Sequence, residues 1–261
     1  MYVPAHFAVH DLDQIAAFVE RAGAADLVTF DGERLTSTLL PVIWDTSVGE
    51  HGRLLGHLAL ANPQWSTART DVPALAIVHG PQAYISPSWY PSTKEHGRVV
   101  PTWNYTTVHF TGPVTFHRDA EWLRDIVTRL TGQHERYIPD PWRVEDAPPA
   151  YIDGQLRGIV GVEMAVTQIE AKDKLSQNRS AADQAGALDG LRRTADPGAQ
   201  AVAELMAARR AADGAAEADG AAEADGAAEA DGAAEAGAAE ADGAAEADGV
   251  AEADLEARPA R

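Results

Sequence analysis

Four short stretches of the chain crowd aromatic, amide, hydroxyl and cationic side chains together. They run from His57 to Trp65, Gly80 to Tyr90, Pro101 to Tyr105 and Lys174 to Arg179. The first three carry Trp65, Tyr84, Trp89, Tyr90, Trp103 and Tyr105, interleaved with prolines and with Asn62, Gln64, Ser86 and Asn104. That mixture suits the walls of a pocket for a flat, partly polar ligand. The rings supply apolar area, and a few fixed donors and acceptors orient the guest. The same residue types also build ordinary β cores, and Asn62-Pro63 and Ser86-Pro87 are ordinary turn starters. Composition leaves both readings open. The fourth stretch places Lys174, Ser176, Gln177, Asn178 and Arg179 directly after a strand-like run, a set able to cradle a phosphate. A solvated helix start would use the same residues. His57 is the histidine best placed for the groove, and a structural strand histidine fits that position equally.

Other chemistries are excluded. There is no cysteine, hence no disulfide, thiolate zinc site, iron–sulfur cluster or cysteine nucleophile. Glycine-rich nucleotide loops, the Gly-x-Ser-x-Gly elbow and His-Glu-x-x-His are all missing from the sequence. None of the nine histidines falls at a metal-ligand spacing with a carboxylate. No catalytic acid or base stands out. The first residues lack a basic segment followed by an apolar one, and the apolar runs are far too short to span a bilayer. The expectation is a soluble cytoplasmic protein that makes no membrane contact.

The elements that must position these side chains follow from periodicity. Asp11 to Ala22 predicts a helix, with Asp11 as cap, Gln14 in capping-box position, an Ile15-Phe18-Val19 stripe and Gly23 as terminator. Leu27–Phe30 and Leu35–Trp44 predict a hairpin turned at Asp31-Gly32. Further strands are expected over 53–60, 74–78, 82–86, 108–116 and 158–169, with a Gly112-Pro113 bend suited to a bulge or barrel corner. Helices are expected over 119–130 and 150–156. Short strands that do not alternate with helices argue for an α+β, mainly β barrel rather than a doubly wound sheet.

Charge divides the chain. Of 261 residues, the stretch 211–261 holds 15 acidic and 2 basic residues, and the remainder holds 25 and 19, a net of −6. From Gly214 to Asp254 a Gly-Ala-Ala-Glu-Ala-Asp unit recurs seven times, the fourth copy lacking its Asp. A glycine in each repeat costs about 1 kcal/mol of helix, and no large apolar residue interrupts the run. A disordered acidic tail over 213–261 is expected, either a solubilising low-complexity end or bait for a basic protein partner. Residues 180–210 are alanine-rich and polar, with Leu188, Leu191, Val202, Leu205 and Met206 marking two weak helices. The expected organisation is one domain over 1–190, a helical or linker segment over 191–212 and the tail.

In the four stretches and their neighbours the chain resembles the PaiB-like family, FMN-binding negative transcriptional regulators. The matching runs are Met1-Tyr2-Val3-Pro4, Gly56-His57 with Asn62-Pro63-Gln64-Trp65, and Gly80-Pro81 with Ala83-Tyr84-Ile85-Ser86 and Trp89-Tyr90. Val100 to Tyr105, Gly158-Ile159-Val160-Gly161 and Lys174 to Arg179 complete them, in the family's order over roughly residues 1 to 190. Leu39 stands where many relatives carry a histidine. The resemblance implies a split β-barrel of the pyridoxamine-phosphate-oxidase kind with peripheral helices, homodimeric, with FMN in a groove at the subunit interface. It implies hydrogen-bonding or stacking roles for His57, Asn62, Gln64, Trp65, Ser86, Trp89 and Asn104. Phosphate or ribityl contacts would come from Lys174, Ser176, Gln177, Asn178 and Arg179.

Two functions follow from the resemblance. One is a flavin-binding negative transcriptional regulator. The net −6 of the body and the lack of a helix-turn-helix pattern speak against direct DNA contact and for control through the flavin or a partner. The other is a flavin-dependent oxidoreductase acting on a small molecule, in which the flavin carries the redox step.

Overall fold

The computed structural model describes residues 1–212 and Gly214. The expected disordered tail thus lies outside the described residues, Gly214 apart. The chain divides into a unit Met1–Arg210 and a unit Ala211–Arg261, and the architecture below is that of the first.

The elements are β1 (Ala8–Val9), α1 (Leu12–Ala22), β2 (Ala24–Phe30), β3 (Leu35–Asp45), β4 (Arg53–Ala59), α2 (Gln64–Thr67), β5 (Ala74–Ile85) and α3 (Ser92–Glu95). After them come β6 (Thr102–Gly112), β7 (Val114–His117), α4 (Ala120–Glu135), α5 (Pro149–Leu156), β8 (Ile159–Ala165), β9 (Gln168–Lys174) and α6 (Ala181–Arg192). Residues 197–210 form a further helix, α7.

Local chemistry explains the boundaries. Asp11 caps α1 by accepting from the amides of Asp13 (2.9 Å) and Gln14 (3.1 Å). Gly23, at φ 68°, ends the helix in the left-handed conformation. Gln14 does not complete a capping box; its amide reaches Asp173 on β9 instead, at 3.2 Å. Asp31 turns the β2–β3 hairpin by accepting from the amides of Glu33 and Arg34, both at 2.9 Å.

All pairings are antiparallel, in the order β1-β9-β6-β5-β2-β3-β4-β8-β7. The order hides a wrap. β6 runs into β7 through Gly112-Pro113, and β8 runs into β9 through Val166-Thr167. Each run pairs with the other on both sides of its corner, and β3 pairs β2 with one half and β4 with the other. Two open half-sheets therefore face one another across a single core, a split β-barrel of α+β class. Leu27, Leu40, Val42, Leu58, Val78, Phe110, Val162 and Met164 fill that core, and Ile15 and Val19 of α1 pack into it.

Three strand expectations change. The run 158–169 is two strands, because the chain changes half-sheet at Val166-Thr167 while the apolar alternation continues unbroken through Val166. The runs 74–78 and 82–86 are one strand, with a register shift between His79 and Gln82. β6 begins at Thr102 rather than 108, because Trp103 and Tyr105 pair across to Tyr84 and Gln82.

Helices cover the sheet in two places. α6 and α7 bury Leu188, Leu191, Val202 and Met206 against Ile85, Tyr90 and Leu175. α4, capped by Asp119 on the Trp122 amide at 2.9 Å, lies over β4 and β8. Its Trp122 seats above Gly161, where a Cβ would stand 2.0 Å from the indole. Gly161 is flanked by His57 on β4 and His117 on β7, in one row across the sheet. His117 stacks on Trp122 at 4.2 Å and meets Glu163 at 2.9 Å. Glu163 also accepts from Arg53 at 3.2 Å, and Arg53 and Arg129 converge on Asp45 at 3.1 and 3.2 Å. His57 has no such partner: its Nδ1 is buried and makes no hydrogen bond.

These groups set the acid response. The Ser47 hydroxyl and amide, with Arg129 and Arg53, hold the Asp45 carboxyl well below the usual carboxylate range against the opposing effect of burial. Burial pushes His57 down from the ordinary imidazole value. The unfolded chain therefore binds the histidine proton first, and stability falls as pH drops below about 6.5. Asp45 contributes stability above about pH 4, and that contribution is lost on further acidification. Thermal melts should show a midpoint that is level above about pH 7 and declines as the pH falls below about 6.5. His57→Leu should make that upper limb shallower, with His109, whose imidazole burial also pushes down, carrying the remainder; a slope identical to the parent's would show that His57 carries none of it.

Candidate functional site

Pleating sorts the side chains of the first half-sheet. β6 turns Asn104, Thr106, Val108 and Phe110 inward, and Trp103, Tyr105, Thr107 and His109 outward. Register then brings Tyr105 beside Lys174, Thr107 beside Lys172, and His109 beside Glu170 on β9. On the other flank β5 offers Gln82 and Tyr84. The Trp103 indole donates to Gln82 Oε1 at 3.0 Å, and the Tyr84 and Trp103 rings meet edge-on at 6.4 Å. Both rings are about half exposed, at 49% and 46%. A cleft of about 370 Å³ opens here, lined by His79, Gly80, Gln82, Trp103, Tyr105, Thr106, Thr107, His109 and Met1.

The electrostatics of this face are cationic. Lys172 is buried, donates to the Tyr2 carbonyl at 3.0 Å and lies 5.2 Å from the Tyr105 ring centre. Lys174 donates to Thr102 Oγ1 (2.7 Å) and to the Trp103 carbonyl (2.6 Å). Burial, with Lys172 and Arg179 nearby, pushes the Lys174 ammonium down. Among the described residues neither lysine pairs with a carboxylate. Two uncompensated ammonium groups beside a row of aromatic rings favour an anion with a flat apolar body. On the same face His79 Nε2 meets Asp26 Oδ2 at 3.1 Å.

The twelve residues singled out from sequence do not converge on one cleft. Lys174 reaches the outer face. Ser176 and Asn104 form a buried pair at 2.9 Å, with Ser176 held at φ 69°, the one described non-glycine in the left-handed region. Gln177 closes the turn locally, donating to the Asp173 carbonyl and accepting from the Leu175 amide. Asn178 is exposed, and Arg179 lies over the Tyr90 ring at 5.0 Å. Trp89 packs against Gly190 of α6, and Ser86 caps the short turn before it. At the other end of the barrel, Gln64 is fully buried and its amide donates to the carbonyls of Leu27 and Thr36 and to Thr29 Oγ1. Asn62 bonds Thr38 at 2.9 Å, and the Trp65 indole donates to the Leu60 carbonyl at 2.9 Å. His57 sits under α4, on the second half-sheet.

Sequence reasoning passed over Lys172, Gln82, His79, Thr107 and His109. Alternation along β6 signals Thr107 and His109 once that strand is started at Thr102; Gln82 and His79 on β5 and Lys172 on β9 join them through strand register.

FMN needs an apolar wall for its ring system, donors and acceptors for the dione edge and cations for its phosphate. The outer face carries each: Trp103 and Tyr105, Gln82 and Thr107, Lys172 and Lys174. The donor set fits the group.

Comparison with known proteins gives the family. A family model described as "Putative FMN-binding domain" matches residues 1–168. The protease synthase and sporulation protein PAI 2 of Bacillus subtilis is 34% identical over 206 residues, covering 79% of this chain and 96% of that protein. An uncharacterized protein of Emericella nidulans, AN0679, is 28% identical over 67% of this chain and 82% of its own. Among solved structures, the conserved hypothetical protein Rv2991 from Mycobacterium tuberculosis superposes with a TM-score of 0.48 at 14% identity, over 68% of this chain and 92% of that one. The chain belongs to this FMN-binding domain family, and its cofactor is FMN.

Proposed function

We propose that the protein holds FMN on the outer face of β5, β6 and β9 as a homodimer, and acts as a negative transcriptional regulator of the PaiB type. Control runs through the flavin or a protein partner. The observation that carries the reading is the placement of Trp103, Tyr105, Lys172 and Lys174 on one outward sheet face within a chain of an FMN-binding family. Bound flavin supplies a reversible electron and hydride acceptor. The protein's part is to stack the ring, neutralise the phosphate and seal the face from water. The regulatory half of the reading draws on the Bacillus relative, named for protease synthesis and sporulation.

The dimer is supported by the same side of the sheet. Leu35 and Leu39 of β3 point outward at 71% and 66% exposure, with Tyr84 and Trp103 further along. Apolar side chains in such number on one face favour burial against a second copy. Indirect control is supported by charge. A body of net −6 repels the phosphate backbone on balance, and the reading matches the outward lysines to the flavin.

Three measurements test this reading. Lys172→Ala with Lys174→Ala should weaken FMN binding at least tenfold by fluorescence titration, since a charged hydrogen bond to phosphate is worth about 1.5–3 kcal/mol; unchanged affinity would move the phosphate elsewhere. Leu39→Glu should convert the dimer to a monomer in sedimentation velocity, and a variant that stays dimeric would place the interface on another face. The FMN-loaded protein should bind its own promoter no better than random duplex at 150 mM salt on about the 10⁻⁴–10⁻⁶ M scale of non-specific binding; submicromolar, sequence-selective binding would overturn indirect control.

A further inference from the structure

A second cleft lies on the far half of the barrel, where the first turn of α4, the end of α5 and the start of β8 meet. Its volume is about 620 Å³, larger than the cleft beside Trp103. The floor is apolar: Leu123 and Leu156 are buried and belong to one cluster with Ile152 and Val144, and Ile159 packs against them. The rim is cationic. Arg118 and Arg157 both line the cleft and are exposed. The Arg118 guanidinium lies 5.7 Å from the Trp65 ring centre. Among the described residues neither arginine pairs with a carboxylate. The acid on the rim, Asp153, is already matched by Arg124 at 2.5 Å.

The geometry points to a second ligand site, for a small amphipathic carboxylate such as a medium-chain or aryl acid. The argument is one of unmet demand. A greasy floor favours an apolar body, and two guanidinium groups without counter-ions favour a carboxylate head, which a planar fork binds in bidentate fashion. A surface arginine is ordinarily content in water. Two of them over one apolar floor, neither in a salt bridge among the described residues, leave two guanidinium forks open to a carboxylate. The site shares no residue with the flavin face, so it stands whether or not the flavin assignment holds. Arg118 over Trp65 also gives it an optical reporter.

Calorimetric titration of the full chain with decanoate tests it, with decanol and acetate as controls. Decanoate should bind saturably at one site and quench tryptophan fluorescence. Acetate and decanol should each bind at least tenfold more weakly, because each supplies half of the recognition. Arg118→Gln with Arg157→Gln should weaken decanoate at least tenfold and leave FMN affinity unchanged. Ala120→Trp fills the cleft from its exposed rim without touching the floor, and should abolish decanoate binding in a protein whose melting curve matches the parent's. No saturable decanoate binding, affinity indifferent to both variants, or acetate binding as tightly as decanoate would overturn the proposal.

Discussion

At the corner of the barrel the backbone of Gly112 passes so close to β8 that a Cβ there would stand 2.0 Å from the Ala165 carbonyl oxygen. Around it the Thr167 amide donates to the Thr111 carbonyl (2.8 Å), the Ala165 amide to Pro113 (3.1 Å) and the Val166 amide to Gly52 (3.1 Å). The β6–β7 and β8–β9 runs change half-sheet together at this crossing. Everything described above depends on it. Turning both runs at one point keeps them paired on either side, so their backbone groups stay satisfied through a sharp bend. It also points the outward residues of β6 and β9 one way and those of β7 and β8 another. The outer face of β5, β6 and β9 and the α4-covered face are products of that one close approach.

The two faces differ in how they handle charge. Under α4, Arg129, Arg53, Asp45 and Glu163 neutralise one another in a chain that Glu163 extends by a hydrogen bond to His117, stacked on Trp122, which suits a surface to be covered by a helix. On the outer face of β5, β6 and β9, Lys172 and Lys174 are held by carbonyl and hydroxyl oxygens and lie near aromatic rings, and among the described residues no carboxylate pairs with them. Such groups keep their positive potential for an incoming anion. The contrast explains how a chain of net −19 presents cationic sites: a net −13 of that charge lies at 211–261, and the remaining 210 residues carry only a net −6.

Much of the architecture was legible in the residues. Asp11 and Gly23 marked the ends of α1, Asp31-Gly32 the first hairpin and Gly112-Pro113 the corner, because each is a local demand on dihedral angles or hydrogen bonds. The second corner was not legible. Val160, Val162, Met164 and Val166 alternate without a break, so nothing local announces the change of sheet. The aromatic clusters were also divided in a way that composition does not reveal. Trp89 went to α6, Trp65 to the barrel end, and Trp103 to the open face. Gln64 and Asn104 were buried as internal ties.

By itself the sequence determined the mainly β class, the absence of thiol chemistry, the position of the acidic repeat and, through six collinear motifs, the resemblance to FMN-binding regulators. Those are properties of residue type and near-neighbour order, which survive in a linear string. Only the tertiary structure decided which side chains share a face. Lys172 and Tyr105 are 67 positions apart and meet over a strand register. Arg118 and Arg157 reach one cleft because α4 and α5 pack together over β8. Long-range register and packing are set by the burial of the whole core, a collective condition to which no single segment of chain holds the answer.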